Sequence, residues 1–343
     1  MLLRRLTGFL LVAVFLIASP LKAATPNGSS TRSLLKDPAV QAFIDSLVTQ
    51  EGFNRNRLED EFRRVKLQPE VIAAITHPAE ALPWYKYRRI FLTEKRITAG
   101  VRFWNVHKAA LMRAQATYGV PPQIVTAIIG VETFYGRHMG RWPVFDSLAT
   151  LAFDYPPRAR FFRGQLKQFL LLARSEGIDP FSVKGSYAGA MGLGQFMPGS
   201  YRAYAIDFNA DDKKDLWNDP ADAIGSVANY LAKHGWKRNA GVAVPARVEG
   251  DPYARRRPSA KPSLYLRQLA AEGIEPMTRP AGGGPYSVIR LINSDGQPEY
   301  WLGGPNFYVI MRYNYSPLYA MAVYQLSQKI KQAYAETHGH RKT

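Results

Sequence analysis

Behind Asp37 and Pro38, apolar residues recur at Val40, Phe43, Ile44 and Leu47. That spacing predicts a helix in DPAVQAFIDSLVTQEGF, with Asp37 as its cap and one apolar face. LEDEFRRV and PEVIAAI predict two shorter helices. LPWYKYRRIFLTEKRITAGVRFWNVHKAALMRAQATYG holds a long one, starting at Thr93 or Thr98 and stopped at Gly119 ahead of Pro121 and Pro122. PPQIVTAIIGVETFYG, SLATLAFDY, ARFFRGQLKQFLLLARSEG, DPADAIGSVANYLAKHGW and PLYAMAVYQLSQKIKQAYAE carry helical periodicity too. GSYAGAMGLGQFMPGSYRAYA is glycine-rich first and helical after. From Gly241 the composition shifts to Pro, Gly, Arg and β-formers. YSVIRLINSDGQPEYWLG predicts a hairpin turning at Asp295-Gly296, and NFYVIMRYN reads as a further strand. The pattern is that of a mainly α (α+β) protein with a small β-rich insert and no internal repeat.

The chain starts differently. MLLRRLTGFLLVAVFLIASPLKAA has a basic start at Arg4 and Arg5, an apolar run from Phe9 to Ala18, and small residues at its end. That is the layout of a secretory signal peptide over 1–23, cleaved after Ala23 or Ala24, with an uncleaved anchor as the alternative. Residues 24–33 form a polar linker. The remaining divisions are an N-terminal helical region over 34–100, a core over 101–240 and 313–335, and the β-rich insert over 241–312.

The net charge of +18 in 343 residues points to an anionic partner. Losing Arg4, Arg5 and Lys22 with the leader leaves +15. There is no cysteine, so an exported form is held by packing without disulfides and carries no lipid on an N-terminal cysteine. The expected compartment is the periplasm, where the anionic surfaces are peptidoglycan and lipid head groups.

One acid is out of place. In TAIIGVETFYGRHMG, Val125, Ile128, Ile129 and Glu132 are related by helical steps, so Glu132 shares the apolar face. A buried carboxylate is costly unless it is paired or neutral. A general acid working near neutrality needs its pKa raised from about 4 to about 6, roughly 3 kcal/mol in favour of the neutral form. The two readings are that proton donor and a structural acid paired with a base such as Arg137. Gly130 and Gly136 allow close approach beside it. KGSYAGAMGLGQFMPGSY, Lys184 to Tyr201, sets small residues around Ser186, Tyr187, Gln195 and Phe196. This mixture of N–H, hydroxyl, amide and ring suits a sugar, and it also suits a tight helix-packing turn.

GVETFYGRHMG, LATLAFDYP, KGSYAGAMGLGQFMPGSY, DLWNDPADAIGSVANYLAKHGW and NFYVIMRYNYSPLYAMAVYQL resemble the membrane-bound lytic murein transglycosylase B family, glycoside hydrolase family 103. The resemblance runs from Asp37 to Ala335. It implies a lysozyme-like helical core in which Glu132 is the one catalytic acid. It also implies cleavage of the MurNAc–GlcNAc β-1,4 bond of peptidoglycan without water, leaving 1,6-anhydro-MurNAc ends. Most glycosidases use two carboxylates. The matching motifs offer one, which would act as acid on the leaving oxygen and then as base on the sugar's own 6-hydroxyl. The strand is expected in a cleft between the helical core and the β-rich insert. The implied substrate contacts are Tyr87, Arg158, Ser186, Gln195, Phe196, Tyr230, Tyr313 and Asn314. Pro157 stands where the family often has a second arginine, which leaves Arg158 alone toward the peptide stem. Wall-synthesis proteins and peripheral membrane contact are further possible partners.

DFNADDKKDLWNDPAD places Asp207, Asn209, Asp211, Lys213 and Asp215 at alternate positions, as in an EF-hand. The resemblance implies a structural calcium loop here, closed by Asp222, with no cofactor needed for chemistry. Asp212 replaces the glycine of position six and Asn218 the glutamate of position twelve, so a solvated acidic turn is the other reading.

Other classes fare worse. YARRRPSAKP is basic, but no zinc pattern, helix-turn-helix or aromatic RNA-binding signature supports a nucleic-acid binder. A non-catalytic wall-binding protein has no use for an acid on an apolar helix face. A lysozyme-type hydrolase differs from a transglycosylase in its product ends. There is no HExxH, GxSxG or P-loop.

Overall fold

The computed structural model describes residues 34–76, 82–253 and 258–339. The expected leader and linker lie outside the described residues.

The helices begin where their caps dictate. Asp37 accepts from the Ala39 N–H and opens α1 (Pro38–Glu51), which buries Val40, Phe43, Ile44 and Leu47. α2 (Arg55–Arg64) and α3 (Pro69–Ile75) follow. After α4 (Trp84–Phe91), Thr93 caps α5 (Glu94–Val106). The single long helix expected up to Gly119 is broken at His107, with φ −105° and ψ 25°, and resumes as α6 (Lys108–Tyr118). No Gly or Pro marks that break, so the periodicity ran through it. Gly119 closes α6 in the left-handed region, and Pro122 starts α7 (Pro122–Thr133). Then come α8 (Val144–Phe153), α9 (Ala159–Ser175), α10 (Pro198–Tyr204) and α11 (Pro220–Lys233). The last three are α12 (Leu266–Ala270), α13 (Pro305–Tyr313) and α14 (Pro317–Gly339).

NFYVIMRYN is therefore helical, not a strand. Gly304 enters extended and Pro305 takes the first helical position, while Asn306, Phe307, Val309, Ile310, Met311 and Tyr313 are all buried. A helix buried on most sides shows no polar face, and its short apolar run reads equally as strand.

Two short strands, β1 (Trp142–Pro143) and β2 (Lys184–Gly185), pair with each other. The main sheet uses β3 (Ala243–Val248), β4 (Ile274–Pro276), β5 (Ser287–Ile292) and β6 (Pro298–Gly303), in the order β4–β3–β6–β5, all antiparallel. The predicted hairpin is β5–β6, with Ile292 opposite Pro298 and Gly296 at φ +78° in the turn.

The chain packs as two compact units. One holds the described parts of 79–138 and 204–343. In it α7 lies against α5, α6, α11 and α14, and the sheet covers its own core of Ala246, Leu269, Ile274, Tyr286, Val288 and Leu302. The other holds the described parts of 13–78 and 139–203. Phe62 is its hub, edge-on to Phe43, Phe145 and Phe153 with centroids 5.5–6.2 Å away. No helix among the described residues is long and apolar enough to cross a membrane.

Candidate active site

Every residue of α7 from Ile124 to Thr133 is buried, so Glu132 sits in a helix enclosed on all sides. Its side chain is 5% exposed. The Arg137 guanidinium lies over the Phe134 ring, 5.1 Å from the centroid. The Tyr319 hydroxyl, from the first turn of α14, donates to Glu132 Oε1 at 2.6 Å. Burial, then the negative charge of Glu132, holds the Tyr319 and Tyr313 hydroxyls well above the ordinary tyrosine range. Tyr319 therefore stays a proton-bearing donor throughout any working pH. Tyr87 is fully buried on α4 and couples electrostatically to Tyr319.

The end of α7 is locked. Phe134 and Tyr135 both adopt left-handed backbone, at φ 51° and 60°, followed by Gly136 at 88°. Two consecutive side-chain-bearing residues there cost on the order of 1–3 kcal/mol each. Their amides are satisfied by the Gly130 and Ile129 carbonyls, which close the helix. The Tyr135 hydroxyl donates to the Arg96 carbonyl at 3.0 Å, and the Arg96 guanidinium covers the Phe134 ring at 4.9 Å. A Cβ on Gly130 would fall 2.5 Å from the Tyr135 hydroxyl oxygen, and one on Gly100 equally close. Glycine at 130 and 100 thus makes room for the tyrosine that pins the acid's helix end.

Three more predicted residues lie in this unit. Tyr230 is buried, donates to the Arg312 carbonyl, and meets the Tyr313 ring edge-on at 4.8 Å and the His234 ring face-on at 4.0 Å. Asn314 is 3% exposed, and its Nδ2 has no hydrogen-bond partner.

Arg158, Ser186, Gln195 and Phe196 belong to the other unit. Arg158 is half-buried over the Phe161 ring at 4.5 Å, and burial pushes its pKa down. Ser186 is fully buried. Its Oγ accepts from the Ala188 and Ala190 amides, so the hydroxyl folds the glycine-rich turn. Gln195, at φ 48°, donates from Nε2 to the Met139 and Gly192 carbonyls at 3.1 and 2.9 Å. Its Oε1 is buried without a partner. Phe196 is buried and bridges to Met191. The close packing of this turn excludes side chains: a Cβ on Gly140, at φ +103°, would fall 1.9 Å from the Gly185 carbonyl oxygen.

The acidic loop is tied together by its own hydrogen bonds. Asp222 is buried and points inward; its two oxygens accept from the Phe208, Asn209 and Asp215 amides. Burial raises its pKa against those bonds. Asp222 thus supports the loop's backbone, as Asp207 does by accepting from the Ala210, Asp211 and Asp212 amides. The Asn209 Nδ2 bridges Asp211 Oδ2 at 3.1 Å and Asp219 Oδ2 at 2.5 Å. Two carboxylates thus share one amide nitrogen. Among the described residues no three acids or histidines form a ready metal group.

Glu132 does not line the cavity found where α4 and α14 meet the β5–β6 turn. Tyr85, Arg88, Arg89, Leu92, Asn293, Ser294, Asp295 and Lys329 line it. The other two buried acids are occupied by backbone: Asp222 as above, and Asp146 by the Lys66 N–H at 3.1 Å.

An enclosed glutamate with one oxygen held by a tyrosine, among aromatic and amide side chains, is the equipment of an acid–base enzyme for carbohydrate. Residues 36–328 match the transglycosylase SLT domain, and the chain belongs to that family. It is 45% identical over 304 residues to membrane-bound lytic murein transglycosylase B of Escherichia coli strain K12, covering 86% of this chain and 83% of that protein. The lytic transglycosylase Slt35 of Escherichia coli, solved with bulgecin A, superposes with TM-score 0.82 at 45% identity, covering 88% of this chain and 95% of that one. A second Slt35 structure contains calcium, at 44% identity and TM-score 0.80 with the same coverage. SltB3 of Pseudomonas aeruginosa, in complex with NAG-NAM-pentapeptide, is 30% identical with TM-score 0.73, covering 85% and 79%. The expected fold class holds: mainly helical, lysozyme-like, with a small sheet.

Proposed function

We propose that this protein is a lytic transglycosylase that cleaves the MurNAc–GlcNAc β-1,4 bond of peptidoglycan, with Glu132 as its single acid and base. The observation that carries the reading is the buried hydrogen bond from Tyr319 to Glu132 Oε1. It fixes one carboxyl oxygen and with it the orientation of the carboxyl that moves the proton. Glu132 gives its proton to the glycosidic oxygen as the C1–O bond breaks. The carboxylate then takes the proton of the same sugar's 6-hydroxyl, and O6 closes on C1. The proton is returned to Glu132 and no water is consumed. The apolar walls of α7 and α14 favour the neutral acid before the step. Membership of the family and the relatives' names support the substrate. Gln195 and Asn314, with open polar atoms, are the proposed sugar contacts; Arg158 is the proposed contact to the peptide stem.

The proposed compartment is the periplasm, with the basic surface drawn to the wall and to anionic lipid. A structural calcium is proposed at Asp207, Asn209, Asp211 and the Lys213 carbonyl, closed by Asp219 and Asp222. It would brace the entry to α11 and supply no chemistry.

Mass spectrometry of the soluble fragments released from purified peptidoglycan tests the activity. Muramic ends lighter by one water are expected. Ordinary reducing ends would replace the proposal with a hydrolase.

A further inference from the structure

The cavity away from Glu132 has a lining that the cleavage reaction does not use. α4 turns Tyr87 inward and Tyr85, Arg88 and Arg89 outward into a space of about 550 Å³. The β5–β6 turn supplies Asn293 and Asp295, and α14 supplies Lys329. Three cations therefore share one cavity with a single acid. None of the three makes an ion pair among the described residues, and Asp295 is the one carboxylate in the lining. Arg88 is nonetheless positioned, with its guanidinium 5.6 Å from the centre of the Trp84 ring. Asp295 is held as well: Oδ1 accepts from the Gln297 N–H in the turn.

Gathering like charges without a counter-ion is unfavourable, and an anionic ligand removes that cost. Arginine suits carboxylate because its fork of N–H groups matches two oxygens. Asp295 narrows the choice further. It would repel a simple anion but would receive an ammonium. The volume is in the range of sites that take ligands the size of a short peptide. We infer that this cavity binds an acidic peptide segment carrying at least two carboxylates and one amine: the carboxylates on Arg88, Arg89 and Lys329, the amine on Asp295. The cavity is a recognition site separate in composition from the acid–base machinery, and it would let the enzyme hold a peptide-bearing strand while Glu132 acts.

The test is calorimetric titration of the leaderless wild-type chain at low salt with the free pentapeptide Ala-Glu-Lys-Ala-Ala, and separately with inorganic phosphate. Peptide binding is expected. Arg88→Ala with Arg89→Ala should weaken it by about tenfold or more, the scale of one lost charge-assisted contact. Lys329→Glu, on an exposed side chain that the fold does not need, should weaken it by a similar factor. Asp295→Asn should weaken peptide binding while strengthening phosphate binding. Melting curves on each variant establish that it is folded. Unchanged peptide affinity in the folded Arg88/Arg89 variant overturns the inference. So does phosphate displacing the peptide at equal concentration.

Discussion

Two tight turns border candidate site residues, and the polar atoms beside them are treated in opposite ways. In the last turn of α7, Glu132 has an oxygen occupied by Tyr319, and the left-handed pair Phe134–Tyr135 that follows is tied down by Arg96, Gly130 and Ile129. In the glycine-rich turn, Gln195 is also left-handed and also anchored, through Nε2, yet its Oε1 is buried and open. Leaving such an acceptor unmade costs on the order of 1–3 kcal/mol. The proposed acid–base group has a fixed partner. The proposed sugar contact has an open acceptor, which suits a donor such as a sugar hydroxyl or amide.

Breaking the occupied side should have the largest effect. Glu132→Gln keeps an acceptor for Tyr319 but cannot exchange a proton; turnover of purified peptidoglycan should fall by about 10²–10⁴-fold or more, with the melting temperature unchanged. Tyr319→Phe removes the donor, and kcat should fall about tenfold or more with little change in KM, the worth of a hydrogen bond to a charged group. Steady-state kinetics on solubilised strands separate the two constants. Breaking the open side should act on binding instead: Gln195→Met should weaken affinity for an uncleaved strand by about tenfold, read by titration in the Glu132→Gln background. Calcium should raise the melting temperature if the loop takes it: at 100-fold excess over Kd the gain is about 2.7 kcal/mol. Asp219→Asn should lose that gain and Asp211→Asn likewise. The smallest effect concerns pH. Burial depresses the pKa of His234 below 6.5, so the unfolded chain binds the proton more readily. Its contribution to stability is complete above pH 6.5 and falls as pH drops from there toward the folded value. Denaturation midpoints measured between pH 7.5 and 5 should decline, and His234→Gln should flatten part of that slope.

Much of this was legible in the chain. Asp37, Thr93, Gly119, Pro122 and Asp295-Gly296 are local signals, and each marks a boundary that the fold respects. Glu132 was legible because a charge on an apolar helical face has few explanations. Its partner was not: Tyr319 is 187 residues away, and one more aromatic in an apolar helix gives no hint of a hydrogen bond. Tyr135 was hidden for the same reason, since nothing local says that Gly100 and Gly130 make room for it. The bonds of Asp222 were hidden because spacing registers an acid but not whether its oxygens face the loop's own amides. NFYVIMRYN misled because a helix without a wet face loses its period.

The lock formed by Tyr135, Gly130 and Gly100 also constrains how this sequence can change. Alanine at either glycine meets the tyrosine hydroxyl at 2.5 Å, and at position 100 it also meets Ile330 at 2.7 Å. Shrinking Tyr135 first would remove the clash, but it would leave a void against both helices and release the end of α7. Each of the three positions thus decides what the other two can be. They drift together or not at all, and a library that varies them one at a time would score all three as intolerant for reasons that belong to the set.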